Sequence, residues 1–215
     1  MLGVESGRLL SIPMNTAVFL RHRGFTLVEL MVTISIAAML MFAVMPSVGG
    51  WMRDLRIRTA AESVQNGLER ARMEALRTNE PVSLWLVSDA DSDGCVLSAA
   101  SSSWVVAVDT PAGACVSSAA SFVDKHEAGN NAAGVTVSAV QTTSAMVAAG
   151  ATRITFNGFG QIATPGGGTN VVQVVVDFTH AAQDARPLRV EVLSGGGIRM
   201  CDPNVPGGDT RRCTL

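Results

Sequence analysis

The sequence predicts an α+β fold: one long N-terminal helix packed on an antiparallel β-sheet head. Three observations predict it. From Phe25 to about Arg77 the chain carries helical spacing and no strand texture. From Val82 onward every patterned segment is rich in strand formers. No second helical pattern separates those strands, which excludes the alternating order of a parallel α/β sheet.

The helix is predicted in two halves. Leu30 to Met52 holds no charge, 52 − 29 = 23 residues. At about 1.5 Å per residue this run makes roughly 35 Å of helix, enough for a hydrocarbon core of about 30 Å. Arg21, His22 and Arg23 precede it, then Gly24, and a single carboxylate, Glu29, stands at its front. A secretory signal has an apolar region of only about 7–15 residues closed by a small-residue site. Here the run is longer, and no Ala-x-Ala closes it before Trp51 and Arg53. A plain membrane anchor accounts for the length and for Arg21 and Arg23 on the cytoplasmic side. It leaves Glu29 unexplained, because a carboxylate at a membrane usually has a partner. Pro46 removes one backbone hydrogen bond and predicts a kink, and Gly49-Gly50 weakens the helix further. Beyond Trp51 the pattern turns amphipathic. Ile57, Ala60, Ala61, Val64, Leu68, Ala71 and Ala75 recur at three- and four-residue steps, and Arg53, Arg56, Glu62, Glu69, Arg70 and Glu74 fill other positions. Asn79 and Pro81 end the helix.

Strands are predicted at 82–87, 104–108, 135–137, 153–156, 171–178 and 188–193, separated by Gly, Ser, Asn and Pro clusters. The Ala/Ser/Gly-rich stretch from Ser117 to Ala151 reads as a long surface loop with one short strand. Gly166-Gly167-Gly168 precedes a strand rather than a helix, so it reads as a hairpin loop and not a phosphate cradle.

Composition narrows the function. The 215 residues suit one anchor helix and one globular domain. Residues 1–24 hold Arg8, Arg21, Arg23 and Glu5, so the rest carries 16 − 3 = 13 basic and 18 − 1 = 17 acidic side chains, formally 13 − 17 = −4. That balance excludes a globally basic nucleic-acid binder. Lys125 is the only lysine and there is no tyrosine, the texture of a weakly charged exported β-domain. Cys95, Cys115, Cys201 and Cys213 all lie beyond the apolar run, where an oxidising compartment permits disulfides.

Candidate chemistry is sparse. Asp89-Ala90-Asp91-Ser92-Asp93-Gly94 matches the first half of a calcium loop, but Ala100 stands where a bidentate glutamate is needed. It reads as a turn, with Gly94 supplying a positive φ. The cysteines lack CxxC spacing or neighbouring histidines, which favours disulfides over zinc. Cys95 and Cys115 bracket a predicted strand pair, 96–97 and 104–108, and Cys201 and Cys213 bracket a Pro/Gly-rich tail. Local pairing is the favoured one of three connectivities, and the tail disulfide is worth roughly 2–3 kcal/mol. His126 and His180 read as loop histidines, and no nucleophile–base spacing is present. No cofactor, metal or enzyme activity is expected.

Gly24-Phe25-Thr26-Leu27-Val28-Glu29-Leu30 resembles the class III signal of type IV prepilins and type II secretion pseudopilins. The resemblance implies a pilin-like fold, cleavage between Gly24 and Phe25 by a prepilin peptidase, and N-methylation of Phe25. It implies that Glu29 pairs with the N-terminal amine of a neighbouring subunit in the filament. The alternative is an intrachain pair, since positions 25 and 29 share a helix face. Later segments, 154–162, 188–192 and 196–203, resemble the GspH/FimT branch of minor pilins and pseudopilins, whose last strand reads Gly-Arg-x-Arg-x-Cys. Gly197 replaces the first arginine here and Arg199 matches the second. Some members of that branch bind DNA through these arginines, which makes Arg199, Arg211 and Arg212 candidate DNA contacts, joined by Arg186 and Arg189. Asp202 and Asp209 sit among them and no aromatic residue lies in the tail, so any binding would be weak and salt-sensitive.

The expected organisation is therefore a leader over 1–24, with Met1 or Met14 as its start. A membrane and filament-core helix covers 25–52, an amphipathic helix 53–80, and a periplasmic β-rich head 81–215. The expected role is a minor pilin of a type IV pilus, in its priming or tip complex, held in the inner membrane before assembly with other pilins. A type II secretion pseudopilin and a DNA-uptake pilin are the alternatives.

Overall fold

A computed structural model of the chain describes residues 24–116, 121–143, 147–164, 171–182 and 185–214. The residues before Gly24, expected as a leader, and Gly166-Gly167-Gly168, expected as a hairpin loop, lie outside the described residues. Helix α1 spans Leu27–Thr78, 52 residues, and its assignment continues through Pro46 and Gly49-Gly50. The chain divides into two compact units, Met1–Val44 and Met45–Leu215.

In the first unit the described part is the start of α1, with Phe25, Leu27, Val28, Met39, Met41 and Phe42 all at least 68% exposed. Among the described residues no helix is long and apolar enough to cross a membrane. The side chains of 43–47, inside the uncharged run, lie outside the described residues.

In the second unit α1 ends at Thr78 because Asn79 takes a left-handed conformation, φ 58°. That is the usual geometry of the residue after a helix, and asparagine tolerates it. Among the described residues ten strands follow: β1 Val82–Val87, β2 Ser103–Ala107, β3 Phe122–His126, β4 Val135–Thr143, β5 Val147–Ala149, β6 Arg153–Phe156, β7 Ile162–Ala163, β8 Val171–His180, β9 Leu188–Leu193 and β10 Ile198–Cys201. They form two five-stranded antiparallel sheets rather than one, in the orders β3-β2-β1-β6-β7 and β10-β9-β8-β4-β5.

One core joins the helix to both sheets. Ile57, Val64, Leu68, Ala71 and Ala75 of α1 meet Leu84, Phe156, Val176, Phe178, Val190 and Val192. The apolar stripe read from spacing is this buried face. Gly67 marks the closest approach of helix to sheet: a Cβ there would lie 2.7 Å from the Trp104 ring and 2.8 Å from Leu84. All six residues of β1 and all five of β2 are buried. Successive side chains point to opposite faces, so Leu84 and Leu86 enter the main core and Trp85 and Val87 enter a second cluster with Ala90, Cys95, Val105, Ala107 and Cys115. A Cys95–Cys115 disulfide lies in that second cluster. Sheet one is thus covered on both faces, which is why 82–87 alternates only partly.

Three expectations are corrected. Ser117–Ala151 is not mainly loop: it holds β3, β4 and β5, and β4 pairs with β8 from Val135–His180 to Thr143–Val171. Val-Thr-Val-Ser-Ala-Val-Gln-Thr-Thr buries only Val137 and Ala139 among its residues, so its own apolar signal is faint and its partner strand defines it. His126 and His180 end strands β3 and β8 rather than sitting in loops. The His126 ring stacks on Trp104 at 5.8 Å, and His180 Nδ1 accepts the Ala182 N–H at 3.0 Å. Gly94 does not take a positive φ; its N–H donates to Ser92 Oγ at 3.0 Å and so closes the turn.

Candidate functional site

The N-terminal segment is built from Thr26 outward. The Glu29 N–H donates to Thr26 Oγ1 at 3.2 Å and the Leu30 N–H donates to the Thr26 carbonyl at 3.1 Å. Thr26 is therefore the cap of α1, and Thr26-x-x-Glu29 is the capping-box pattern. The sequence carries that signal in Thr26 and Glu29, within the segment 24–30. Gly24 and Phe25 precede the helix in irregular backbone. A Cβ built on Gly24 meets nothing within 4 Å, and Phe25 is 80% exposed. Among the described residues the Glu29 carboxylate has no hydrogen-bond or ion-pair partner. A carboxylate among exposed apolar side chains gains a partner when a cation is brought to it.

The C-terminal candidates occupy β9, β10 and the tail. Cys201 and Cys213 form a disulfide with a sequence separation of 12. Val190 and Val192 of β9 face the core, so Glu191 between them faces the other side, and it is fully buried there. Arg199 lies opposite Glu191 in the β9–β10 register. Its Nε donates to Glu191 Oε2 at 3.0 Å, and its second amino group donates to the Arg212 carbonyl at 3.0 Å. Thr214 donates to the same Oε2 from its hydroxyl at 2.7 Å and from its N–H at 3.3 Å. Burial pushes the Glu191 carboxyl up, but the bonds from Thr214 and Arg199 outweigh it and hold the group below its ordinary value.

These bonds decide what the predicted arginine patch can do. Arg199 ties the tail to β9. Arg211 pairs with Asp209 at 2.7 Å, and the hydrogen bond from Arg211 is the main reason the Asp209 carboxyl falls to about 2. Arg189 pairs with Asp177 at 2.7 Å. Among the described residues only Arg212, of the three named DNA contacts, has no ion pair. Arg199 thus faces a buried carboxylate, whereas Arg211 and Arg212 remain exposed.

The aspartate-rich turn is also accounted for by protein contacts. Asp89 accepts the Asp91 N–H at 2.8 Å, Asp93 accepts the Val116 N–H at 3.0 Å, and the Lys125 ammonium sits 2.9 Å from Asp91. A lysine on the central carboxylate opposes a calcium ion there.

A capped apolar helix with a carboxylate in its first turn, leading into an antiparallel β head, defines a pilin-class filament subunit. Residues 20–45 match the prokaryotic N-terminal methylation motif, and residues 60–196 match the model of the type II transport protein GspH. The second match covers more than half of the 215-residue chain, and the chain belongs to the GspH family, a family of minor pilins and pseudopilins. Two crystal structures of the type IV minor pilin FimU of Pseudomonas aeruginosa strain PAO1, in space groups P21 and P65, are similar to it. The first shares 19% identity with a TM-score of 0.46, over 70% of this chain and 92% of that one. The second shares 17% identity with a TM-score of 0.45, over 70% of this chain and 97% of that one. No curated protein matches the chain.

Proposed function

We propose that the chain is a minor pilin of a type IV pilus. A prepilin peptidase cuts between Gly24 and Phe25, and Phe25 is then N-methylated. Residues 25–52 hold the subunit in the inner membrane with the head, 81–215, in the periplasm and residues 53–80 packed on that head. On assembly the 25–52 helix enters the filament core, and Glu29 pairs with the N-terminal amine of a neighbouring pilin. The subunit acts in the priming or tip complex through contacts of its head with other minor pilins.

The observation that carries this reading is the state of the helix front. The Gly24–Phe25 bond lies in irregular backbone ahead of the Thr26 cap, next to an exposed apolar helix whose carboxylate has no partner among the described residues. Free and N-terminally processed, that helix is suited to a membrane first and to other helices afterwards. The secretion reading draws on the family's description as a type II transport protein. The DNA-uptake reading rests on the exposed Arg211 and Arg212, since Arg199 is held by Glu191.

Mass spectrometry of the chain recovered from cells with a prepilin peptidase tests the processing. The expected product begins at methylated Phe25, and Gly24→Val stays full length. A wild-type chain that keeps its leader beside an active peptidase would remove the proposal. Deleting the gene separates the two assemblies: loss of surface pili with normal secretion supports the pilus, and the reverse supports the pseudopilus.

A further inference from the structure

Glu191 is fully buried, yet only one of its oxygens is engaged. Oε2 takes Arg199 and Thr214, whereas Oε1 is buried with no hydrogen-bond partner among the described residues. With the disulfide closed that oxygen is desolvated and keeps its lone pairs unused, so it is available to a ligand once the two sulfurs part. A carboxylate oxygen of Glu191 and the sulfurs of Cys201 and Cys213 lie within 4.8 Å of one another, and all three residues are buried. They converge because β10 pairs antiparallel with β9 and the tail folds back through Thr214.

We propose that in the dithiol form of the chain Cys201, Cys213 and Glu191 are the ligands of a borderline-soft divalent cation, Zn²⁺ being the type case. Two thiolates and one carboxylate suit zinc and not the hard cations calcium and magnesium, and water completes a four-coordinate shell. Charge also balances: two thiolates and a carboxylate carry −3, and the cation with Arg199 carries +3. Arg199 and Thr214 hold the carboxylate from Oε2 and so orient it, the usual task of groups behind a ligand. The dithiol form exists before the disulfide closes. It also forms when an external dithiol passes two electrons and two protons to Cys201–Cys213 and becomes a disulfide itself. The cation then displaces the two thiol protons to solvent. Cation and disulfide are mutually exclusive occupants, and either one fastens the tail to β9.

The test uses the full chain in detergent, reduced by a phosphine, with Co²⁺ as the probe. A thiolate-to-cobalt charge-transfer band is expected, displaced by Zn²⁺ and absent from the Cys201→Ser/Cys213→Ser variant. Glu191→Gln should weaken binding by at least about tenfold. Reduction also loosens the tail, so the thermal midpoint of the reduced chain is measured with and without Zn²⁺. It should rise in the wild type, because the cation favours the folded form, and stay unchanged in the double-serine variant. Absence of both the band and the rise overturns the proposal. So does a band that persists in the double-serine variant, which would place the cobalt at Cys95 and Cys115, or a Glu191→Gln chain that binds as tightly as the wild type.

Discussion

Replacing Arg199 by alanine should destabilise the head, although Arg199 looks from the sequence like a contact for an outside ligand. The substitution removes one of three hydrogen bonds from a carboxylate that is fully buried, and with it the facing positive charge. Removing one member of a buried ion pair costs about 3–5 kcal/mol, and a hydrogen bond to a charged group is worth about 1.5–3. The Arg199 side chain is 37% exposed, so solvent screens part of the pair and the lower figure applies. Thr214 still donates twice. The expected loss is about 2–3 kcal/mol. At about 2–4 °C per kcal/mol for a domain of this size, the midpoint should fall by roughly 4–12 °C. Thermal and denaturant unfolding of the full chain in detergent, followed by circular dichroism, measures it. The double variant Arg199→Ala/Glu191→Gln should recover much of the loss, since no buried charge is then left behind. The pH profile adds a second sign. The Glu191 carboxyl is depressed in the folded chain, so its contribution is present above the unfolded value near about 4.3 and is lost as pH falls through the lower folded one. In Arg199→Ala burial acts with less opposition, the folded value moves up toward the unfolded one, and the loss of stability in acid from this group should shrink. A cost below about 0.5 kcal/mol, or no recovery in the double variant, would refute the claim that Arg199 serves Glu191.

Gly67→Ala should destabilise by about 1–2 kcal/mol in chemical unfolding, because the gain in helix propensity is smaller than the strain of a methyl 2.7 Å from the buried Trp104 ring; a stabilised variant would show that the ring can move aside. Phe156→Ala, at a fully buried side chain of the shared core, should cost about 3–5 kcal/mol, and unfolding monitored at Trp104 checks it. Replacing Cys95 and Cys115 together by alanine opens a disulfide of sequence separation 20 and should cost about 3 kcal/mol; a change under about 1 kcal/mol would assign the second cluster's stability to packing alone.

The helix and the central strands were legible because their signals are local. The stripe Ile57 to Ala75 is a 3.6-residue period, and Val82–Val87, Arg153–Phe156 and Leu188–Leu193 are each apolar enough to announce themselves. What was not legible depends on pairing between distant segments. β4 is weakly apolar, and β8 makes it a strand. β3 is an edge strand of mostly half-buried side chains, so its sequence, Phe-Val-Asp-Lys-His, reads as loop. The division into two sheets leaves no mark on any single strand. At the tail, the arginines were legible as residues but not as partners: Glu191 meets Arg199 only through the β9–β10 register, and Thr214 only through the fold-back of the tail.

That distinction changes how the DNA reading has to be tested. An Arg199→Ala/Arg211→Ala/Arg212→Ala variant mixes two effects, because its first substitution uncovers a buried carboxylate. Lost DNA uptake in that variant would follow from a loosened head as readily as from a lost contact. Arg211 and Arg212 are exposed, and the Arg211 guanidinium pairs with Asp209 and not with Glu191, so Arg211→Ala/Arg212→Ala leaves the Glu191 contacts in place. The same reasoning applies at the other end. Glu29 is exposed and its carboxylate has no partner among the described residues, so Glu29→Leu removes only the favourable effect of a negative charge in the first helical turn, about 0.3–1 kcal/mol. The variant should therefore remain in the membrane and fold its head normally, and its shortfall should appear only when subunits are counted in purified filaments. Incorporation equal to wild type would mean that the amine of the neighbouring subunit is met by some other group.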